Sequence, residues 1–148
     1  MDSKIIIGSD HGGFALKKKI ITFLQNKGYE VFDVGTYSKA PCDYPDIACK
    51  VAENVSHGSY SRGIVICKTG IGVSICANKS KGVRAALCTS VEQAALSRKH
   101  NNSNILALGT KFTPLPIALK ICETWLTTEF DGGRHERRIN KISQFENN

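Results

Sequence analysis

The sequence predicts an α/β protein, a doubly wound Rossmann- or flavodoxin-like three-layer sandwich with a five-stranded parallel sheet and an extra C-terminal helix. Three observations carry this. Strand-like and helix-like segments alternate five times, which calls for parallel strands joined by right-handed crossovers. The strand-like segments are short β-branched runs such as Ile5-Ile-Ile7 and Ile64-Val-Ile66, the composition of strands covered on both faces. Polar, glycine-bearing turns follow the first and third of them, where such sheets hold ligands. The chain has 148 residues, 41% hydrophobic and 22% charged. That is enough for one domain over 1–148 and too little for two.

Lys4 to Gly8 reads as the first strand and runs into the turn Ser9-Asp-His-Gly-Gly13. Phe14 to Lys27 reads as a helix, with Phe14, Leu16, Ile20, Ile21 and Leu24 near a 3.6-residue period and Gly28 as its stop. Asp10 suits the cap of that helix, and His11 reads by itself as a loop histidine. Glu30 to Val34 is the second strand. The loop Gly35 to Pro45 is long for its place and contains Asp43-Tyr-Pro45. Asp46 to His57 is the second helix, apolar at Ile47, Ala48, Val51, Ala52 and Val55.

The third strand and helix frame Cys67-Lys-Thr-Gly-Ile-Gly72. Glycines at a strand-to-helix turn let backbone N–H groups crowd an anion, and the helix start adds partial positive charge. The thiol stands where that charge favours thiolate, a base or nucleophile. A tight turn with a buried cysteine reads equally well from this stretch alone. A dinucleotide fingerprint does not, because Ile75 replaces its third glycine, and neither does a Walker loop, which closes on Gly-Lys-Ser/Thr.

Val83 to Leu87 is the fourth strand and Ser90 to Lys99 the fourth helix, ended by His100-Asn101. Asn104 to Gly109 is the fifth strand, Lys111 begins the next loop, and Pro114 to Thr127 is a helix. After Asp131-Gly-Gly133, the segment Arg134-His-Glu-Arg-Arg138 opens a last amphipathic helix with Ile139, Ile142 and Phe145. Arg134 and Arg138 lie one turn apart on one face. With strand order 2-1-3-4-5, Asp10-His11 and Cys67-Lys68-Thr69 meet at the switch point between strands one and three. His100 falls toward the far edge, to be joined by chain wandering or by a neighbouring copy.

The net charge of +7 invites a nucleic-acid reading, yet no aromatic residues interleave the basic ones, and a phosphorylated small molecule asks for the same bias. No apolar run reaches the length of a membrane span, and the start shows no signal pattern, so a cytoplasmic protein is expected. The six cysteines form no C-x-x-C pair. That argues against a zinc site and a disulfide framework, and leaves them as small core residues.

Five segments in register resemble ribose-5-phosphate isomerase type B, a group shared with the galactose-6-phosphate isomerase subunits. They are Gly8-Ser-Asp-His-Gly-Gly-Phe14, Asp43-Tyr-Pro45, Cys67-x-Thr-Gly-Ile-Gly-x-Ser-Ile-x-Ala-Asn-Lys79, His100-Asn-x-x-Asn104 and Gly132-Gly-Arg-His-x-x-Arg138. The resemblance runs from about residue 4 to residue 140. It implies interconversion of ribose 5-phosphate and ribulose 5-phosphate in the non-oxidative pentose phosphate pathway, without metal or cofactor. It also implies a homodimer or tetramer with sites at the subunit interface, and no nucleic-acid or membrane partner. Carried over by position, Cys67 is the base at C2, Thr69 belongs to the catalytic turn, and the backbone of Lys68, Thr69, Gly70, Ile71 and Gly72 holds the enediolate. Asp10 and Asn101 bind sugar hydroxyls, His100 donates a proton for ring opening, and Tyr44 lines the sugar. His11, Arg134 and Arg138 hold the phosphate, with Lys111 at a position where arginine is common. Some relatives place a glutamate base where Val73 stands, so this chain is of the cysteine type. Lys68 departs from the usual glycine, which strains the turn if that position needs positive φ.

A hexose 6-phosphate isomerase is the same-class alternative, and nothing in the sequence measures pocket length. A flavodoxin-like nucleotide module explains the fold but not Asp10, His11, Cys67 and the arginines together.

Overall fold

The computed structural model describes residues 2–148. Five parallel strands, β1 (Lys4–Ser9), β2 (Glu30–Asp33), β3 (Gly63–Cys67), β4 (Ala85–Leu87) and β5 (Ile105–Gly109), form one sheet in the order β2-β1-β3-β5-β4. Six α-helices accompany them: α1 (Phe14–Asn26), α2 (Tyr44–Ser56), α3 (Ile71–Ala77), α4 (Val91–Asn101), α5 (Leu115–Thr127) and α6 (Arg134–Glu146).

The expected order 2-1-3-4-5 is corrected at one place, because β5 lies inside β4. The reason is burial. Every residue of β5 is buried, as a strand with neighbours on both sides requires, whereas β4 has three half-buried residues. A short edge strand next to the polar Arg84 limits unpaired backbone. The exchange also moves a helix. Right-handed crossovers that step rightward, β2 to β3 and β3 to β4, place α2 and α3 on one face. Leftward steps, β1 to β2 and β4 to β5, place α1 and α4 on the other.

Each strand feeds both layers through its alternation. Ile5, Ile7, Ile64, Ile66, Leu106 and Leu108 pack with Leu16, Ile20 and Leu24 of α1 and Ile121, Cys122 and Trp125 of α5. Ile6, Val65, Cys67, Ile105 and Ala107 pack with Ala48, Val51 and Ala52 of α2 and Val73 and Ala77 of α3. Burying a side chain of this size contributes about 1.5–3 kcal/mol, which makes these two clusters the main source of stability. Helix α6 stands outside the layers and leans on α4. No helix of the described residues is long and apolar enough to cross a membrane.

Three basic side chains serve the scaffold. Lys17 points inward from α1 and is wholly buried, its ammonium 2.7 Å from the Asp33 carboxylate and donating to the Thr36 carbonyl. The rings of Phe14 and Tyr37 flank it. Arg98 is buried too, donating to the carbonyls of Thr128 and Ser103, and burial brings it down to about 10. Arg84 donates to the carbonyls of Asn101 and Asn102. Of the cysteines, only Cys67, Cys88 and Cys122 are buried, so the expectation of small core residues holds for half of them.

Candidate active site

At the carboxyl ends of β1 and β3 the chain builds one cleft of about 420 Å³, lined by Asp10, Tyr44, Cys67, Lys68, Thr69, Ile71, Gly72 and Ile75. The two strands are neighbours, with Ser9 opposite Ile66, so the residues that follow them emerge side by side. Asp10 is buried and caps a 3-10 turn, His11–Gly13, its Oδ1 accepting the Gly13 N–H at 3.1 Å. The capping role and a place in the cleft coincide: one carboxylate oxygen holds the turn and the other is left for a ligand. His11 is fixed from outside, its Nδ1 accepting the Cys42 N–H at 3.2 Å. With Nδ1 accepting, Nε2 is the nitrogen left to donate.

Cys67 ends β3 with its thiol buried, and its sulfur accepts the Gly70 N–H at 3.1 Å. That bond ties the sulfur to the residue that opens α3. Gly70 takes φ +78°, and a Cβ there would meet Leu87 at 2.5 Å and the backbone of Leu108 and Gly109 near 3 Å. Only glycine brings the turn down onto β5. The backbone just past β5 answers it, Thr110 N–H donating to Cys67 O and Lys111 N–H to Lys68 O. Gly72 is needed for space alone: a Cβ would lie 2.6 Å from the Tyr44 ring, so the ring rests on the helix start. The N–H groups of Gly72 and Val73 fall in the first turn of α3, where a helix offers them no acceptor. Ile71 N–H is taken by the Thr69 hydroxyl oxygen at 3.2 Å.

Lys68 is exposed and its φ is not positive, so the departure from glycine causes no backbone strain. Val73 is 1% exposed within the α2–α3 layer, a core position. Ile75, one turn beyond Ile71, lines the cleft without having been singled out in the sequence, although its i, i+4 spacing from Ile71 is a visible signal.

The other expected site residues are elsewhere in the same chain. His100 and Asn101 form the last turn of α4, beside Arg84 and the start of β5. That is the amino end of the sheet, roughly 15 Å of strand away from Cys67. There the His100 ring stacks on His135 of α6, centroids 4.3 Å apart and planes within 13°. Arg134 and Arg138 flank this stack on the exposed face of α6. Burial first, then His100 and the two arginines, bring His135 below its ordinary value. His135 was quoted in the sequence motif without a role; no periodicity links it to His100. Asp131 completes a cluster whose ligating atoms lie within 4.8 Å of one another. Near-parallel rings direct their lone pairs side by side instead of toward one point, so the cluster is not a formed metal centre.

The model of the Ribose/Galactose Isomerase family matches residues 5–142. Ribose-5-phosphate isomerase B of Escherichia coli K12 is 45% identical over 143 residues, 97% of this chain and 96% of that protein. The solved ribose-5-phosphate isomerase B of Clostridium thermocellum is 55% identical with a TM-score of 0.96, covering 97% of both chains. That of Mycoplasma genitalium, solved with bound ribulose-5-phosphate, is 46% identical with a TM-score of 0.94, covering 97% of this chain and 96% of its own.

Proposed function

The chain belongs to the ribose/galactose isomerase family, and we infer that it interconverts D-ribose 5-phosphate and D-ribulose 5-phosphate through an enediolate. The observation that supports this most is a buried thiol held by an N–H at a helix start, inside a cleft that also contains a carboxylate. Cys67 as thiolate removes the proton from C2 of the open-chain aldose and returns it at C1. The first-turn N–H groups of α3 and the Thr69 hydroxyl receive the enediolate oxygens. Donors fixed in advance at developing charge are a large term in catalysis. Asp10 takes a sugar hydroxyl through its free oxygen, and Tyr44 forms the wall. His11 presents its Nε2 proton to the phosphate.

His100, Asn101, Arg134 and Arg138 complete this reading when a second copy supplies them. They lie at the amino end of the sheet and Cys67 at the carboxyl end, so one chain does not unite them. A homodimer or larger oligomer with two-fold contacts gives each cleft the neighbour's histidine for ring opening and arginines for the phosphate. We take residues 1–148 as one isomerase domain, since a single sheet carries both cores. The six free thiols suit a reducing, cytoplasmic setting. Among the described residues the reading calls on no metal or cofactor.

Assays of purified protein with ribose 5-phosphate, ribulose 5-phosphate and allose 6-phosphate test it. Conversion of the pentose phosphates is expected, and Cys67→Ala is expected to abolish it with the thermal midpoint little changed. Near wild-type turnover in Cys67→Ala would remove the thiol from its role, and turnover of allose 6-phosphate alone would move the substrate to hexoses.

A further inference from the structure

Cys49 and Cys76 bring their sulfurs to 3.3 Å across the seam between α2 and α3. Neither belongs to the reaction above. Cys49 is exposed and Cys76 half-buried, so one thiol meets solvent and the other is sheltered behind it. The seam has a regular ladder. The Tyr44 ring rests on Gly72 at its upper end. One helical turn further along α3, Cys76 faces the Pro45 carbonyl at 3.8 Å and the Cys49 sulfur. Burial, followed by the neighbouring Cys49, pushes the Cys76 thiol up to about 11. The exposed member is the one that meets an oxidant, and the sheltered member lies within reach of it.

We propose that Cys49 and Cys76 form a modification site, a dithiol that hydroperoxides convert to an intrachain disulfide tying α2 to α3 one turn from the cleft wall. The Cys49 thiolate attacks a peroxide oxygen, forming an S–O bond as the O–O bond breaks, and leaves a sulfenic acid and hydroxide, which takes up the proton that Cys49 lost and becomes water. The Cys76 sulfur then attacks the Cys49 sulfur. The S–S bond forms, the S–O bond breaks, and the departing hydroxide takes the Cys76 proton as water. Two thiols and one hydrogen peroxide give one disulfide and two waters, with two electrons passing from sulfur to peroxide. This ladder ends at the disulfide because a second thiol intercepts the sulfenic acid before further oxidation. The site is separate from Cys67, whose sulfur is buried and held by Gly70.

The test is peptide mapping of the full-length protein, without reductant, after exposure to hydrogen peroxide. The expected product joins the Cys49 and Cys76 peptides of one chain. A cross-link spanning 27 positions raises the thermal midpoint on the order of 5 °C, reversed by dithiothreitol. Cys49→Ser is expected to keep the reduced protein's turnover and lose both the linked peptide and the shift. Sulfinic or sulfonic acid on Cys49 without linkage, or Cys49 joined to another copy, would overturn the proposal. The mapping reads the bond and not the reaction, so its failure leaves the isomerase reading untouched.

Discussion

Lys68 and His135 show how much a single position decides. A glycine is expected at 68 from the family pattern, and lysine there would strain the turn only at positive φ. Its φ is ordinary and its side chain exposed, while Gly70 carries the left-handed conformation of this turn. Lys68→Gly should therefore leave turnover within about tenfold, a barrier change near 1.4 kcal/mol. A larger change in steady-state rate would assign the lysine a part in binding or chemistry. His135 works through charge. Its folded value lies below its unfolded one, so the unfolded chain binds more protons between the two. The stability it contributes is full above the ordinary value of 6.5 and is lost as the pH falls from there through the folded value. Thermal midpoints from pH 7.5 to 5 should fall for the native chain. His135→Phe keeps a ring against His100 but does not titrate, and should flatten that slope; an unchanged slope would place the titration elsewhere.

Two elements are held by contacts that a residue pattern does not announce. Lys17-Lys-Lys19 is a basic run within one helix, yet Lys17 turns inward and ties α1 to the end of β2 through Asp33 and Thr36. The loop so anchored continues to Cys42, which orients His11. Lys17→Met leaves the Asp33 carboxylate with only the Gly35 N–H and takes the ammonium from the Thr36 carbonyl, and should cost on the order of 2–4 kcal/mol in denaturant unfolding. At the start of α3, Gly72→Ala sets a methyl where the Tyr44 ring rests. Tyr44 is 40% exposed and swings away easily, so stability should move by less than about 1 kcal/mol while KM for the sugar phosphate rises. Intact KM would mean that the tyrosine does not border the substrate. What was legible here follows from physics that works locally. Alternation and apolar runs mark the strands, and parallel strands send their loops to one end, which groups Asp10 with Cys67; Tyr44 joined them only through the family resemblance. The place of β5 inside β4 was not legible in that way, because it depends on comparing two strands' burial. Nor was the His100–His135 stack, which exists only once α6 docks on α4.

At the scale of the whole molecule, the proposed site residues lie at opposite ends of one sheet, and the shared-site proposal rests on that separation. Cys67 sits at the carboxyl end, and His100, Arg134 and Arg138 at the amino end of the same chain. Exposed Ile71 and Ile75 border the cleft, while Ile142 and Phe145 extend from the exposed face of α6. Apolar side chains at both places are material for a two-fold contact that seats one copy's α4–α6 end over the other's cleft. Under this arrangement Cys67→Ala and Arg134→Ala homodimers are each inactive, because every site contains one lesion. Refolded as a mixture, their heterodimers hold one site with both lesions and one with neither. Random pairing makes about half the dimers heterodimers, each with one good site of two, so roughly a quarter of native activity should return. If a single chain supplies both residues, each site in the mixture keeps one lesion and no activity returns. Subunits carrying distinguishable mass tags report whether pairing is free. A freely paired mixture that stays inactive would show that each cleft is completed by its own chain.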